Sequence, residues 1–259
     1  MVSIQATRAA NNSIASQIPT AVFTGATSGI GLGAIEALLK STTSSKVYII
    51  GRSQANFAPT LAKLQLQDLN PSAQLVFIEA QVSQLKEVEH ARIVSILAAG
   101  EEGAVNTTDV GLSDPKNYGF FAAMRQGVTM MSLVMRELSL ENPNVSFIHT
   151  NPGMVSTAVH HKWAETMTGY LTPLSWLLKW GLIPMMYLFG RTAEEAGQVG
   201  LYELTNERYS ASSGNNLFRL LENAENASAS SILLKYIEDG TQRKVWEHTM
   251  GLYEKVLVQ

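Results

Sequence analysis

The sequence predicts an α/β fold, a parallel sheet flanked by helices, and three observations carry that expectation. Short apolar runs recur along the chain: Ala21-Val22-Phe23, Val47-Tyr48-Ile49-Ile50, Leu75-Val76-Phe77-Ile78, Ile93-Val94-Ser95-Ile96-Leu97 and Val145-Ser146-Phe147-Ile148. Nearly continuous apolar runs of this length suit strands buried on both faces, as parallel strands are. The first run leads straight into a glycine-rich turn, Thr24-Gly25-Ala26-Thr27-Ser28-Gly29-Ile30-Gly31, and then into a helical stretch, Ala34-Ile35-Glu36-Ala37-Leu38-Leu39. Finally, 259 residues suit one domain with a sizeable core.

The turn is the stretch that organises the rest. Strand, glycine turn and helix in succession aim backbone N–H groups at a phosphate and place it at a helix N-terminus, where the dipole favours negative charge. Gly25 allows the tight turn, Gly29 the close backbone approach and Gly31 close helix–strand packing. The spacing is G-x-x-x-G-x-G, not G-x-G-x-x-G. This octet resembles the T-G-x-x-x-G-I-G motif of the short-chain dehydrogenase/reductase family. The resemblance runs from about Pro19 to about Leu221 and is closest to a divergent branch met in fungal metabolite gene clusters. It implies a Rossmann-like fold and a nicotinamide dinucleotide.

Composition bounds the alternatives. A net charge of −3 and a pI near 6.0 give no electrostatic footprint for nucleic acid. With no cysteine there is no disulfide, thiolate metal site or cysteine nucleophile, which fits a reducing, cytoplasmic setting. The first 20 residues lack an apolar signal core, so secretion is not expected. Residues 1–18 read as a flexible tail, and residues 19–259 as a single dinucleotide-binding domain.

Gly51-Arg52-Ser53 follows the second strand. In dinucleotide folds an acidic residue near this position binds the ribose 2′-hydroxyl, whereas an arginine accommodates a 2′-phosphate. Arg52 has the planar fork that suits phosphate. NADP is therefore expected rather than NAD. After strand three the family often places an acidic residue against the adenine. Gln81 stands there, and its amide could still hydrogen-bond the ring.

Only residues 82–90 separate strand three from the run that begins at Arg92. A parallel connection usually needs a dozen or more residues. With the strand order 3-2-1-5, the linker would cross about 14 Å sideways and return about 20 Å along the sheet. Nine extended residues reach at most about 30 Å. The usual fourth strand is thus expected to be missing. Either the sheet is rearranged or the chain is a shortened product, with the join at Glu89-His90-Ala91. By the resemblance, Ser95 ends its strand where the family's serine hydrogen-bonds the substrate carbonyl. The polar stretch 101–114 reads as an active-site loop.

The resemblance also implies Tyr-x-x-x-Lys at a helix start, where the tyrosine donates a proton and the lysine lowers its pKa. Aligned on Leu133-Val134-Met135-Arg136-Glu137-Leu138, those positions fall on Phe120 and Met124, and neither can titrate. Tyr118 is the remaining proton-donor candidate. Met124, Val128, Met131, Met135 and Leu138 form one helical face, read as core. Ala123 and Gly127 would allow a partner helix to approach, so a homodimer face is an alternative.

Asn151-Pro152-Gly153-Met154-Val155-Ser156-Thr157 resembles the family's N-P-G-x-V-x-T, which reaches the nicotinamide carboxamide and pyrophosphate. It assigns Pro152, Gly153, Val155 and Thr157 to the cofactor, beside Thr24, Gly25, Ser28, Gly29, Ile30, Gly31, Arg52 and Gln81. His160 and His161 read as surface residues. Residues 171–188 are rich in Leu, Trp and Met but interrupted by Pro173, Lys179 and Pro184. They fall short of an uninterrupted span. A lid over an apolar small-molecule substrate (about 160–190) is the leading reading, with a subunit contact or weak membrane-surface contact as alternatives. Thr192 and Glu195 form a capping box, and Trp246 and Tyr253 read as anchors of a C-terminal helix.

The expected function is an NADP(H)-dependent oxidoreductase acting on an apolar carbonyl or alcohol in secondary metabolism. The alternatives are a degenerate family member serving as a nucleotide-binding scaffold or cofactor-independent cyclase or isomerase, and a truncated inactive product.

Overall fold

The computed structural model describes residues 2–66, 70–79, 91–157, 164–165, 172–211 and 215–257. In chain order its first elements are α1 (Ile4–Asn12), β1 (Thr20–Thr24), α2 (Gly29–Ser41), β2 (Lys46–Gly51), α3 (Gln54–Leu66), β3 (Gln74–Glu79) and β4 (Arg92–Ile96). Then come α4 (Phe120–Glu141), β5 (Ser146–Thr150), α5 (Thr172–Leu177), α6 (Ile183–Phe189), α7 (Ala193–Thr205), β6 (Leu217–Leu220), α8 (Ser231–Glu238) and α9 (Thr241–Leu257). The chain divides into two compact units. One holds Val2–Val82 with Gly153–Thr205, the other Ser83–Pro152 with Asn206–Gln259.

In the first unit β1, β2 and β3 form a parallel sheet in that order, with Thr20 opposite Lys46 and Lys46 opposite Gln74. Val47 and Ile49 point into a core with Phe23, Ile35, Leu38 and Phe57. Helices α2 and α7 meet backbone to backbone. A Cβ on Gly33 would strike the Ala193 carbonyl, and one on Gly197 would strike the backbone of Gly33 and Ala34. The stretch expected as a flexible tail holds α1 instead. Ser3 Oγ caps it by accepting from Ala6 N at 3.1 Å. Buried Asn11 then ties it to α7, its Nδ2 donating to Gln198 O at 3.0 Å and Gln198 Oε1 at 2.7 Å.

In the second unit β4, β5 and β6 form a parallel sheet, with Ser146 opposite Arg92 and Phe147 opposite Leu217. Central β5 is buried throughout. On α4, Val128 and Met135 are buried while Met131 and Leu138 are half-buried, as the helical face anticipates. Met124 lies beyond that core and is 44% exposed. The C-terminal stretch is two helices, because Gly240 takes φ +78° between them. Val245 and Tyr236 anchor them, with Trp246 half-buried. Tyr253, expected as an anchor, is exposed.

Among the described residues each sheet has three strands, with β1 at one margin of the first sheet and β4 at one margin of the second. The 3-2-1 part of the expected order is present in the first sheet.

Candidate functional site

The glycine turn lies wholly in the first unit. Gly25 and Gly29 take φ of +64° and +60°, a region that L side chains rarely enter. A Cβ on Gly31 would sit 2.7 Å from Ala26 Cα, so only glycine lets α2 start this close to the turn. Ser28 is the N-cap of α2, yet its side chain makes no capping bond. The first-turn N–H groups of α2 thus receive no cap from Ser28 and can donate to a ligand. The side chains of Thr24 and Ser28 are exposed, and Gly29, Ile30 and Gly31 are half-buried. This cradle fits a pyrophosphate: small residues where it must approach, and donors aimed outward.

The N-P-G stretch contributes to the same unit from Gly153 onward. Gly153 takes φ +71°, and buried Val155 bridges to Arg191. A Cβ on Gly29 would touch Thr157 Cγ2 at 3.6 Å, so Thr157 borders the turn. Pro152 is the last residue of the second unit's segment. Arg52 directly follows β2 and is exposed, with no ion pair among the described residues. The neighbouring carboxylate, Glu79 at the end of β3, is already engaged: its Oε2 accepts from Gln54 N at 2.8 Å. Gln81, His160, His161 and the Glu89–His90 join lie outside the described residues.

The second unit carries Ser95 and Tyr118. Ser95 is half-buried near the end of β4, and Tyr118 is 61% exposed just ahead of α4. The loop 101–114 is pinned to α4 and α8. Thr129 Oγ1 donates to Gly103 O and accepts from Gly103 N, both at 2.8 Å. Gln126 Oε1 accepts from Asn106 N, and Tyr236 OH accepts from Val105 N. Ala123 and Gly127 line an open groove of about 340 Å³ with Met130, His248 and Leu252.

A buried polar chain that sequence reasoning missed runs beneath this loop. Arg219 on β6 grips Glu102 with both prongs, Nε to Oε1 at 2.8 Å and Nη2 to Oε2 at 2.6 Å. Ser132 Oγ on α4 donates to Glu102 Oε1 at 2.9 Å and lies 2.8 Å from His149 Nδ1 on β5. Burial alone would raise the Glu102 carboxyl, but Arg219 and Ser132 together hold it below its usual value. Burial pushes His149 down to about 4, against the pull of Glu102. His149 is fully buried and its Nε2 has no hydrogen-bond partner.

The apolar segment of the first unit is helical from Thr172 to Phe189, with a π turn at Leu178–Leu182. Pro184 explains the π turn: it has no N–H, and its ring would clash with the carbonyl four residues back. The Ile183 N–H reaches back to Leu178 O instead. Leu178 and Ile183 pack with Ala164, while Trp176, Trp180, Leu188 and Phe189 are exposed. Thr192 and Glu195 form the expected box: Glu195 Oε2 accepts from Thr192 N at 3.0 Å, and Thr192 Oγ1 from Glu195 N at 3.1 Å. Among the described residues no helix is long and apolar enough to cross a membrane, and no acidic, histidine or cysteine cluster could hold a metal.

No family model matches the chain. It is 25% identical to an oxidoreductase of Emericella nidulans over an alignment of 342 positions, covering 99% of each chain. It is also 25% identical to an NmrA-like family domain-containing oxidoreductase of an Aspergillus species, covering 98% of this chain and 95% of the relative. Among solved structures, an uncharacterised protein from Mycobacterium paratuberculosis shares the fold. Its TM-score is 0.54 at 13% identity, covering 93% of this chain and 94% of that one. By its glycine turn, its N-P-G stretch and its parallel-stranded α/β fold the chain resembles the short-chain dehydrogenase/reductase family, and over its whole length it is similar to fungal oxidoreductases.

Proposed function

We propose that the protein is an NADP(H)-dependent oxidoreductase acting on an apolar small-molecule carbonyl or alcohol in cytoplasmic secondary metabolism. The observation that carries this reading is the turn, where two positive-φ glycines open onto a helix start with no side-chain cap. In this reading the first-turn N–H groups of α2, with Thr24, Ser28 and Thr157, hold the pyrophosphate. Arg52 takes the 2′-phosphate, supported by its exposure and by the engagement of Glu79 elsewhere. Gln81 would meet the adenine. When bound, the dinucleotide supplies or accepts the hydride. Ser95 meets the substrate oxygen, and Tyr118 is a second candidate proton donor. The exposed aromatic face of residues 172–189 serves as an apolar lid, with weak membrane-surface contact as the alternative use of Trp176 and Trp180. The groove beside Ala123 and Gly127 is the homodimer candidate.

A segment carried by the relatives is missing near residue 90 in this reading. Support comes from the alignment itself, which runs over 342 positions although the chain has 259 residues. Phe120 and Met124 at the Tyr and Lys positions favour a second reading, a nucleotide-binding protein that no longer transfers hydride.

The deciding experiment is titration of the folded chain with NADPH and NADH, read by energy transfer from tryptophan to nicotinamide. Saturable binding that prefers NADPH is expected. No binding by a folded chain removes both nucleotide readings.

A further inference from the structure

His149 has one nitrogen satisfied and one stranded. Its tautomer follows from the network. An ionised Glu102 can only accept, so the single Ser132 hydroxyl proton goes to Glu102 Oε1. The Ser132 oxygen then accepts from His149, and the proton on His149 sits on Nδ1. Nε2 is therefore an unprotonated acceptor, buried, with no donor. The two ring nitrogens point to opposite flanks of the imidazole. The Nδ1 flank faces Ser132, Glu102 and Arg219, and Arg219 is the residue opposite His149 on β6. On the other neighbour, β4, the residue opposite His149 is Ser95. In-register parallel partners project to the same face of a sheet, with strands about 4.8 Å apart. Ser95 Oγ has no hydrogen bond among the described residues. A donor and an acceptor, neither with a partner among the described residues, thus stand on neighbouring register positions.

We propose that Ser95 donates its hydroxyl proton to His149 Nε2, so that the Ser95 oxygen is left to accept from a substrate hydroxyl group. This rests on the reading above that Ser95 meets the substrate. It narrows the substrate class from carbonyl or alcohol to an alcohol. A serine whose one proton is committed inward has only lone pairs to offer. The substrate hydroxyl donates to Ser95 Oγ while the Ser95 hydroxyl donates to His149 Nε2, and each proton stays on its own atom. Ser132, Glu102 and Arg219 then act as positioning residues that fix the imidazole. This supplies a hydrogen-bond acceptor for the substrate hydroxyl where Phe120 and Met124 offer no polar group.

The test uses the full chain with ¹⁵N-labelled histidines, observed by long-range proton–nitrogen NMR. Among the five histidines, His149 is assigned by the change of its Nδ1 signal in Ser132→Ala. Ser95→Ala is expected to move the His149 Nε2 resonance downfield, to the position of a bare imidazole nitrogen. Ser95→Thr, which keeps a hydroxyl, should restore it. An Nε2 signal indifferent to Ser95→Ala overturns the pairing. Cyclohexanol and cyclohexanone are then compared as matched probes. Cyclohexanol is expected to shift Nε2 in the unmodified chain and not in Ser95→Ala. Equal effects of the two probes, or no effect of either, overturn the hydroxyl assignment. NADPH titration of the same sample is read separately. Its failure with the nitrogen signals behaving as expected sinks the oxidoreductase reading and leaves the Ser95–His149 pair standing.

Discussion

Acid should weaken this fold through one residue. His149 is fully buried, and burial lowers its pKa from 6.5 to about 4. Unfolding returns it to water, where it takes a proton near 6.5. The unfolded chain therefore binds more protons between these values, and stability falls as pH falls through that window. Above about pH 7 the residue is neutral in both states and contributes no pH dependence. The full loss is about 3 kcal/mol, of which about 2.5 kcal/mol is lost by pH 4.5. The charged groups facing His149 are Glu102, through Ser132, and Arg219. Glu102 has its pKa lowered, so its own contribution is lost only below its unfolded value of 4.5. The window from pH 7.5 to 4.5 isolates the histidine. Urea denaturation would be followed by tryptophan fluorescence for the unmodified chain and for His149→Asn, whose amide keeps a donor for Ser132. The stability difference between them should change by about 2.5 kcal/mol across the window, in favour of the variant at low pH. Parallel pH curves would refute the argument, since they would mean that His149 is protonated in the fold.

Glu102→Gln should cost about 3–5 kcal/mol, because it leaves the Arg219 guanidinium facing a neutral amide; calorimetry checks it, and a loss under 1 kcal/mol would count against the buried pair. Arg52→Asp should weaken NADPH binding by about 10- to 100-fold, the worth of charge-assisted hydrogen bonds, with NADH little changed; equal affinities before and after would remove Arg52 from the phosphate site. Thr192→Ala should cost about 1 kcal/mol of stability in urea titration, as loss of an N-cap does. Gly197→Ala should cost about 1–3 kcal/mol or more, because its Cβ would meet Gly33 backbone rather than a movable side chain. A silent Gly197→Ala would mean that α2 and α7 do not approach as described.

The strands were legible because their signal is local. Thr20–Thr24 and Lys46–Gly51 are read directly from apolar runs between turn residues. The glycine turn was legible for the same reason, since its backbone demands fall on residues adjacent in sequence. The Arg219–Glu102–Ser132–His149 chain was not. Its partners stand 117, 30 and 17 residues apart. Each of them, taken alone, is an ordinary polar residue. Helix α1 was hidden likewise: its composition reads as a tail, and what holds it is Asn11 against Gln198, 187 residues away. Tyr253 failed as an anchor because periodicity marks an apolar face without saying where the core beneath it ends.

The split into two three-stranded sheets reaches beyond the active site. β1 is an outer strand of its own sheet and β4 of the other, and outer strands are where foreign strands add. Along Thr20–Thr24 there is neither a charge nor a proline to discourage a foreign strand, and Val22 there is 46% exposed. On β4, Arg92 is the only charged residue, and Ile93 and Ile96 are exposed. Self-association through these margins grows with concentration while folding does not.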